Sequence, residues 1–200
     1  MFMMSLNQSA GIALEEQNSL DAITAELLQF IKLKSQRLYN HSFQVANYSV
    51  SVATKLGLPY SEIEQIKHAA LLHDVGMLFI SNTLIAKIPY LNRREKAMYK
   101  RHAAAGGNLL ENIPCCQEII PYIVYHHERW DGTGFPKHLR GANIPLGARI
   151  IAVADYYDTI INPSTEFWGK TKSQAIRELF GASGLLFDPE VVKAFIETLG

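Results

Sequence analysis

The chain has 200 residues, 48% apolar and 10% aromatic, which suits one domain, or at most two small ones, whose core needs neither disulfides nor a structural metal. Nineteen lysines and arginines balance nineteen aspartates and glutamates, so the formal net charge is zero; this argues against a basic nucleic-acid face and points to a small partner. The start MFMM lacks a basic leader, and no stretch reaches the roughly 18 apolar residues that span a bilayer, so membrane association is not expected.

Taken in chain order, residues 20–36 suit an amphipathic helix with Leu20, Ile23, Leu27, Phe30 and Ile31 facing inward. From Ser42 to Leu56 the apolar positions Val45, Tyr48, Val52 and Leu56 recur at helical spacing, and Gly57 with Pro59 marks a stop. His41 stands one turn before Val45 on the inward face. Ser61 and Glu64 predict a capping box for a helix through Ile66 and Leu72, which puts His73-Asp74 at a helix end. Asn92 and Glu95 repeat that pattern for a helix to about Ala105 carrying His102, after which Gly106-Gly107 either relaxes the helix or permits close packing. The two cysteines, Cys115 and Cys116, are adjacent, a spacing that rarely makes a structural disulfide, so a reducing, cytoplasmic setting is expected. A further helix should reach His126 from Ile119, with Pro121 in its first turn or kinking it. Asp131-Gly132-Thr133-Gly134-Phe135-Pro136 is dense in turn formers and predicts a loop to Gly147. Ile150, Ala154, Tyr157 and Ile161 resume a helical stripe beside Asp155. Two more helices are signalled by Thr171 with Gln174 and by the N-cap and first-position proline of Asp188-Pro189. The fold class is all-α.

Histidine and aspartate clusters without matching cysteines suit a divalent ion such as iron, manganese or zinc. In His73-Asp74 the carboxylate can bridge two cations, which sets a separation near the roughly 3.5–4 Å of two-metal hydrolysis. His126-His127 offers two donors from one turn if that turn is distorted or the second side chain rotates. A lone helical histidine is usually a core or surface residue, and His68 and His138 are left without a role.

Arg37 to Phe195 resembles the HD-GYP family, the bacterial subset of the HD phosphohydrolase superfamily. The resemblance rests on His41, on AALLHDVG (Ala69 to Gly76), on His102 in RHAAAGG, and above all on HHERWDGTGFP (His126 to Pro136) followed by LRGANIPLGARIIAVADYYD (Leu139 to Asp158). FDPEVVKAF (Phe187 to Phe195) closes the match. It implies an HD-domain helical bundle with a dinuclear metal site in its core, residues 37–200 forming the catalytic domain behind an N-terminal helical extension, 1–36. The implied activity is a metal-dependent phosphodiesterase that opens cyclic di-GMP or a related cyclic dinucleotide. By position, His41, His73, Asp74 and Asp155 would hold one metal and His102, His126 and His127 a second. Asp74 would bridge both and act in catalysis. Two ions, iron or manganese ahead of zinc, are expected. Asp131, Gly132 and Gly134 would shape the adjoining loop, and Glu128 would hold a ligand imidazole or remain an exposed turn carboxylate.

Four positions depart from the family pattern. Met77 stands where relatives carry a phosphate-binding lysine, and INPSTEFWGK (Ile161 to Lys170) replaces a basic stretch. Arg37 occupies the place of a glutamate that holds a third metal, and Gly134-Phe135-Pro136 replaces Gly-Tyr-Pro. Lys100, Arg101, Arg129 and Arg149 are candidate replacements for the missing charges. The departures leave two other readings open: a metal-binding module without turnover, and a phosphohydrolase for another nucleotide. Control would come from a homo-oligomer or a separate regulatory protein.

Overall fold

The computed structural model describes residues 19–88, 90–162 and 169–200. Residues 19–34 form α1, and Ser35 separates it from α2 (Gln36–Lys55), its side chain accepting the Leu38 N–H. The helix expected from Ser42 thus begins earlier, because a hydroxyl cap breaks the chain direction without glycine or proline. At the other end Leu58 N–H bonds Ala53 O and Gly57 N–H bonds Thr54 O, with Gly57 at φ 74°. The capping box expected at Ser61 and Glu64 does not form. α3 (Tyr60–Leu72) starts from Pro59, whose fixed φ of −59° is already helical and whose carbonyl accepts the Ile63 N–H, while Glu64 pairs with Lys67.

His73 ends α3, and Asp74 opens a 3-10 turn, Val75–Phe79. After α4 (Asn82–Ile85), α5 (Arg93–Tyr99) carries the expected Asn92/Glu95 capping box and leads into α6 (Arg101–Leu110). Pro121 falls in the first turn of α7 (Ile120–Tyr125). The loop from Asp131 ends at α8 (Leu146–Ile161); α9 (Lys172–Ala182) has the Thr171/Gln174 box, and Asp188 caps α10 (Pro189–Thr198) through Glu190 N–H. Among the described residues there is no β-strand, only an isolated bridge between Ser183 and Phe187.

α2 packs against α3 and α8, α10 lies across α2 and α8, and α7 joins α3, α6 and α8. Val45, Val52, Ile66, Leu72, Ile150 and Phe195 meet in the core, each worth about 1.5–3 kcal/mol on full burial. α1 shares this core through Leu20, Leu28 and Ile31, not through Phe30, which is 49% exposed. The most buried stripe is Leu20, Thr24, Leu28, Ile31, with the expected Ile23 and Leu27 packed against the core beside it, and the polar Thr24 hides that stripe from an apolar-periodicity reading. Thr24 Oγ1 lies 2.9 Å from His68 Nδ1, and Asp21 stands 3.1 Å from its Nε2, so His68 is a core residue tying α1 to α3.

Both cysteines are free thiols. Of the segment Ile161 to Lys170, positions 163–168 lie outside the described residues. No helix among the described residues is long and apolar enough to cross a membrane.

Candidate metal centre

Five helices converge on the site. α2 supplies His41, the end of α3 His73 and Asp74, α6 His102, the end of α7 His126 and His127, and α8 Asp155. Gly76 permits the close approach of the 3-10 turn to α6, since a Cβ there would lie 1.9 Å from the His102 carbonyl oxygen. All seven residues singled out in the sequence meet in one place. Their donor atoms fall into two groups, His41-His73-Asp155 and His102-His126-His127, within each of which the atoms lie no more than 4.8 Å apart. Asp74 stands between them, Oδ1 3.3 Å from His102 Nε2 and Oδ2 3.7 Å from His73 Nε2.

Three imidazoles are oriented by one device. Nδ1 of His73, His102 and His126 donates to the carbonyl three residues earlier, Ala70 at 2.8 Å, Tyr99 at 2.7 Å and Ile123 at 2.6 Å. A proton held on Nδ1 leaves Nε2 a lone pair aimed into the site. His73 Nε2 and His127 Nε2 are buried with no hydrogen-bond partner, and His102 Nε2 faces His126 Nε2 at 3.5 Å. Buried lone pairs that face one another repel, and a cation among them removes the penalty. The donor set therefore fits divalent metal ions.

His41 is held from both sides, with Asp158 2.6 Å from Nδ1 and Asp155 3.1 Å from Nε2. Burial opposes its charged form, but these carboxylates outweigh it and raise the His41 pKa to about 10. At Asp74 burial favours the neutral acid, yet His73 and His102 outweigh it and hold the pKa below the usual carboxylate range. His126 is pushed down to about 3 by burial, reinforced by His73 and His102, and burial with His126 drives His127 well below its ordinary value. Both are neutral donors at pH 7.

Glu128 does not hold a ligand imidazole. It is buried, and its two oxygens accept the backbone N–H groups of Lys137 and Leu139 at 2.6 and 3.1 Å, which folds the following loop back over the site. Asp131 accepts both N–H and Oγ1–H of Thr133 in a local turn, and Gly132 has φ 82°. A Cβ at Gly134 would lie 2.3 Å from Arg129 N, so this position admits only glycine. Phe135 packs 4.8 Å from His127, and the Lys100 ammonium lies 4.7 Å from the Phe135 ring. His138 has φ 56° and joins neither donor group.

A cavity of about 460 Å³ opens onto His41, Asp74 and Asp155, with Arg37, Met77 and Tyr99 in its wall. A smaller recess of about 240 Å³ reaches His126 and His127 beside Arg129. Arg149 is committed elsewhere, bonding the Ile144 carbonyl and Asp188. Two site residues escaped the sequence reading. Asp158 sits three residues after Asp155 on the same face of α8, a helical spacing that could have revealed it. Tyr99 packs 4.8 Å from the His102 ring, and nothing local signals it.

A family model described as HD domain matches residues 26–191, and the chain belongs to that family. It is 32% identical over 178 residues to a cyclic di-GMP phosphodiesterase of Thermotoga maritima, covering 86% of this chain and 48% of that protein. A 3'3'-cGAMP-specific phosphodiesterase of Vibrio cholerae is 29% identical over 192 residues, covering 95% of this chain and 37% of its own length. The chain thus spans less than half the length of these curated relatives. The fold matches that of an HDG"Y"P protein from Bdellovibrio bacteriovorus with a TM-score of 0.69 at 21% identity, covering 92% of this chain and 69% of that one.

Proposed function

We propose that this chain is a metal-dependent phosphodiesterase that opens a cyclic dinucleotide, cyclic di-GMP or a relative such as 3'3'-cGAMP. The observation that carries this reading is Asp74 set between two donor groups in which the Nε2 atoms of His73 and His127 are buried without partners. His41, His73, Asp74 and Asp155 would hold one ion and His102, His126 and His127 the other, with residues 37–200 as the catalytic unit. A set of imidazoles and carboxylates without thiolate favours iron or manganese over zinc. Two such ions supply neutralisation of phosphodiester charge and a water whose pKa is lowered toward neutrality. The chain's own residues prepare this chemistry: backbone carbonyls fix three imidazoles, burial keeps His126 and His127 unprotonated, and Asp158 orients His41. The names of the relatives support the substrate class.

Met77 favours a second reading, a module that binds metal and nucleotide without turnover, since a thioether in the cavity wall offers no charge to a phosphate. The test is to load the protein anaerobically with Fe(II) or Mn(II), incubate it with cyclic dinucleotides and mononucleotides, and separate the products. Linear dinucleotide or mononucleotide from a cyclic dinucleotide is expected, with close to two metal ions per chain by elemental analysis. Tight nucleotide binding without product would establish the second reading instead.

A further inference from the structure

One wall of the larger cavity is the face of α2 that carries Arg37, Asn40, His41 and Gln44, positions at helical spacing. Among the described residues lining that cavity, Arg37 is the single lysine or arginine, and the other basic group, His41, is engaged by Asp155 and Asp158. Asp74, Asp155 and Asp158 line the same space, yet none forms an ion pair with Arg37: Asp74 faces His73 and His102, while Asp155 and Asp158 are engaged by His41. The guanidinium therefore remains available to an anion entering the cavity, one helical turn from His41, and beyond ion-pair reach of the aspartates at the centre. Met77, which shares the lining, contributes no charge. A guanidinium offers a planar fork of N–H donors that matches two phosphate oxygens at once.

We propose that Arg37 is the substrate-positioning residue of this chain, holding the phosphate of a cyclic dinucleotide that is not being cleaved while the other phosphodiester lies over Asp74. The inference rests on the phosphodiesterase reading and adds to it. A molecule with two phosphates can offer one to Arg37 and the other to the metal centre; one with a single phosphodiester has no second phosphate for Arg37. This difference makes the assignment testable.

The experiment compares metal-loaded wild type with Arg37→Ala and Arg37→Lys. It measures equilibrium binding of cyclic di-GMP and of 3'3'-cGAMP, steady-state kinetics on both, and hydrolysis of bis(p-nitrophenyl) phosphate, which has one phosphodiester. Arg37→Ala is expected to lose about ten- to a hundredfold in cyclic dinucleotide affinity, mostly as a rise in KM rather than a fall in kcat. Its loss on the single phosphodiester should be far smaller, and Arg37→Lys should recover part of the affinity, keeping the charge without the fork. Elemental analysis checks that both variants hold their metal. Unchanged cyclic dinucleotide affinity in Arg37→Ala, or equal losses on both substrate types, overturns the assignment and leaves the phosphodiesterase reading standing. A wild type that hydrolyses bis(p-nitrophenyl) phosphate but neither binds nor opens either cyclic dinucleotide overturns the substrate reading, and Arg37's role with it.

Discussion

The two carboxylate oxygens of Asp74 face different imidazoles, His102 at 3.3 Å and His73 at 3.7 Å, so one side chain serves both donor groups. Each of the five clustered histidines belongs to one group only. Asp74→Ala removes a shared negative charge and, among the described residues, the only carboxylate set between the groups, and both metal ions should be lost together. An alanine at His73 or His126 should reduce one group and leave the other partly loaded. Elemental analysis of the reconstituted variants distinguishes these patterns; two ions retained in Asp74→Ala would show that other side chains join the groups. At this scale the sequence was informative wherever chemistry is announced by residue type, as at His73-Asp74 and His126-His127. It missed the role of Glu128, which is neither an imidazole partner nor an exposed carboxylate, because that role depends on where a loop nine to eleven residues later comes to lie.

α1 tests how far helical periodicity can be read without neighbours. Leu28 is 6% exposed and lies in the core, whereas Phe30, the larger side chain, is 49% exposed. Leu28→Ala should cost about 2–5 kcal/mol through lost burial and a residual cavity, while Phe30→Ala should change stability by less than about 0.5 kcal/mol. Urea denaturation of the two variants measures the difference; equal effects would mean that α1 presents another face to the core. The helix starts show the same division. The boxes at Asn92/Glu95 and Thr171/Gln174 form because both partners lie within one turn. The one expected at Ser61 loses to Pro59, whose ring already imposes a helical φ one residue ahead of the helix.

The buried histidines make the stability of the whole metal-free protein depend on pH with opposite signs. His126 has a folded pKa of about 3 and His127 one well below normal, against an unfolded value near 6.5. Above pH 6.5 both are neutral in either state and contribute no pH dependence. Below it the unfolded chain binds protons that the folded chain refuses, so stability falls by about 1.4 kcal/mol per pH unit for each imidazole. His41, raised to about 10, has the reverse sign: its contribution is complete below pH 6.5 and disappears as pH rises from there to about 10. The metal-free protein should therefore be most stable near pH 6.5, and metal should protect the acid limb, because cations compete with protons for the same nitrogens. Thermal unfolding from pH 4 to 9, with and without Mn(II), measures both limbs. A flat acid limb without metal would mean that these imidazoles are not sealed from solvent.

The sequence by itself determined the all-helical class, most helix boundaries and the identity of the seven clustered residues. The class and the boundaries are written in signals that act within a turn or two, apolar spacing and caps; of the seven residues such signals mark only the adjacent pairs His73-Asp74 and His126-His127, and the full set came from the family resemblance. Only the tertiary structure decided the pairing of those residues and the second roles around them. His41 meets Asp158 across 117 positions because α2 packs on α8, and Arg37 enters the cavity because the same face of α2 forms its wall. Such contacts are fixed by how helices cross and how closely small residues such as Gly76 let them approach. That geometry is a property of the assembled core, and no short stretch of chain contains it.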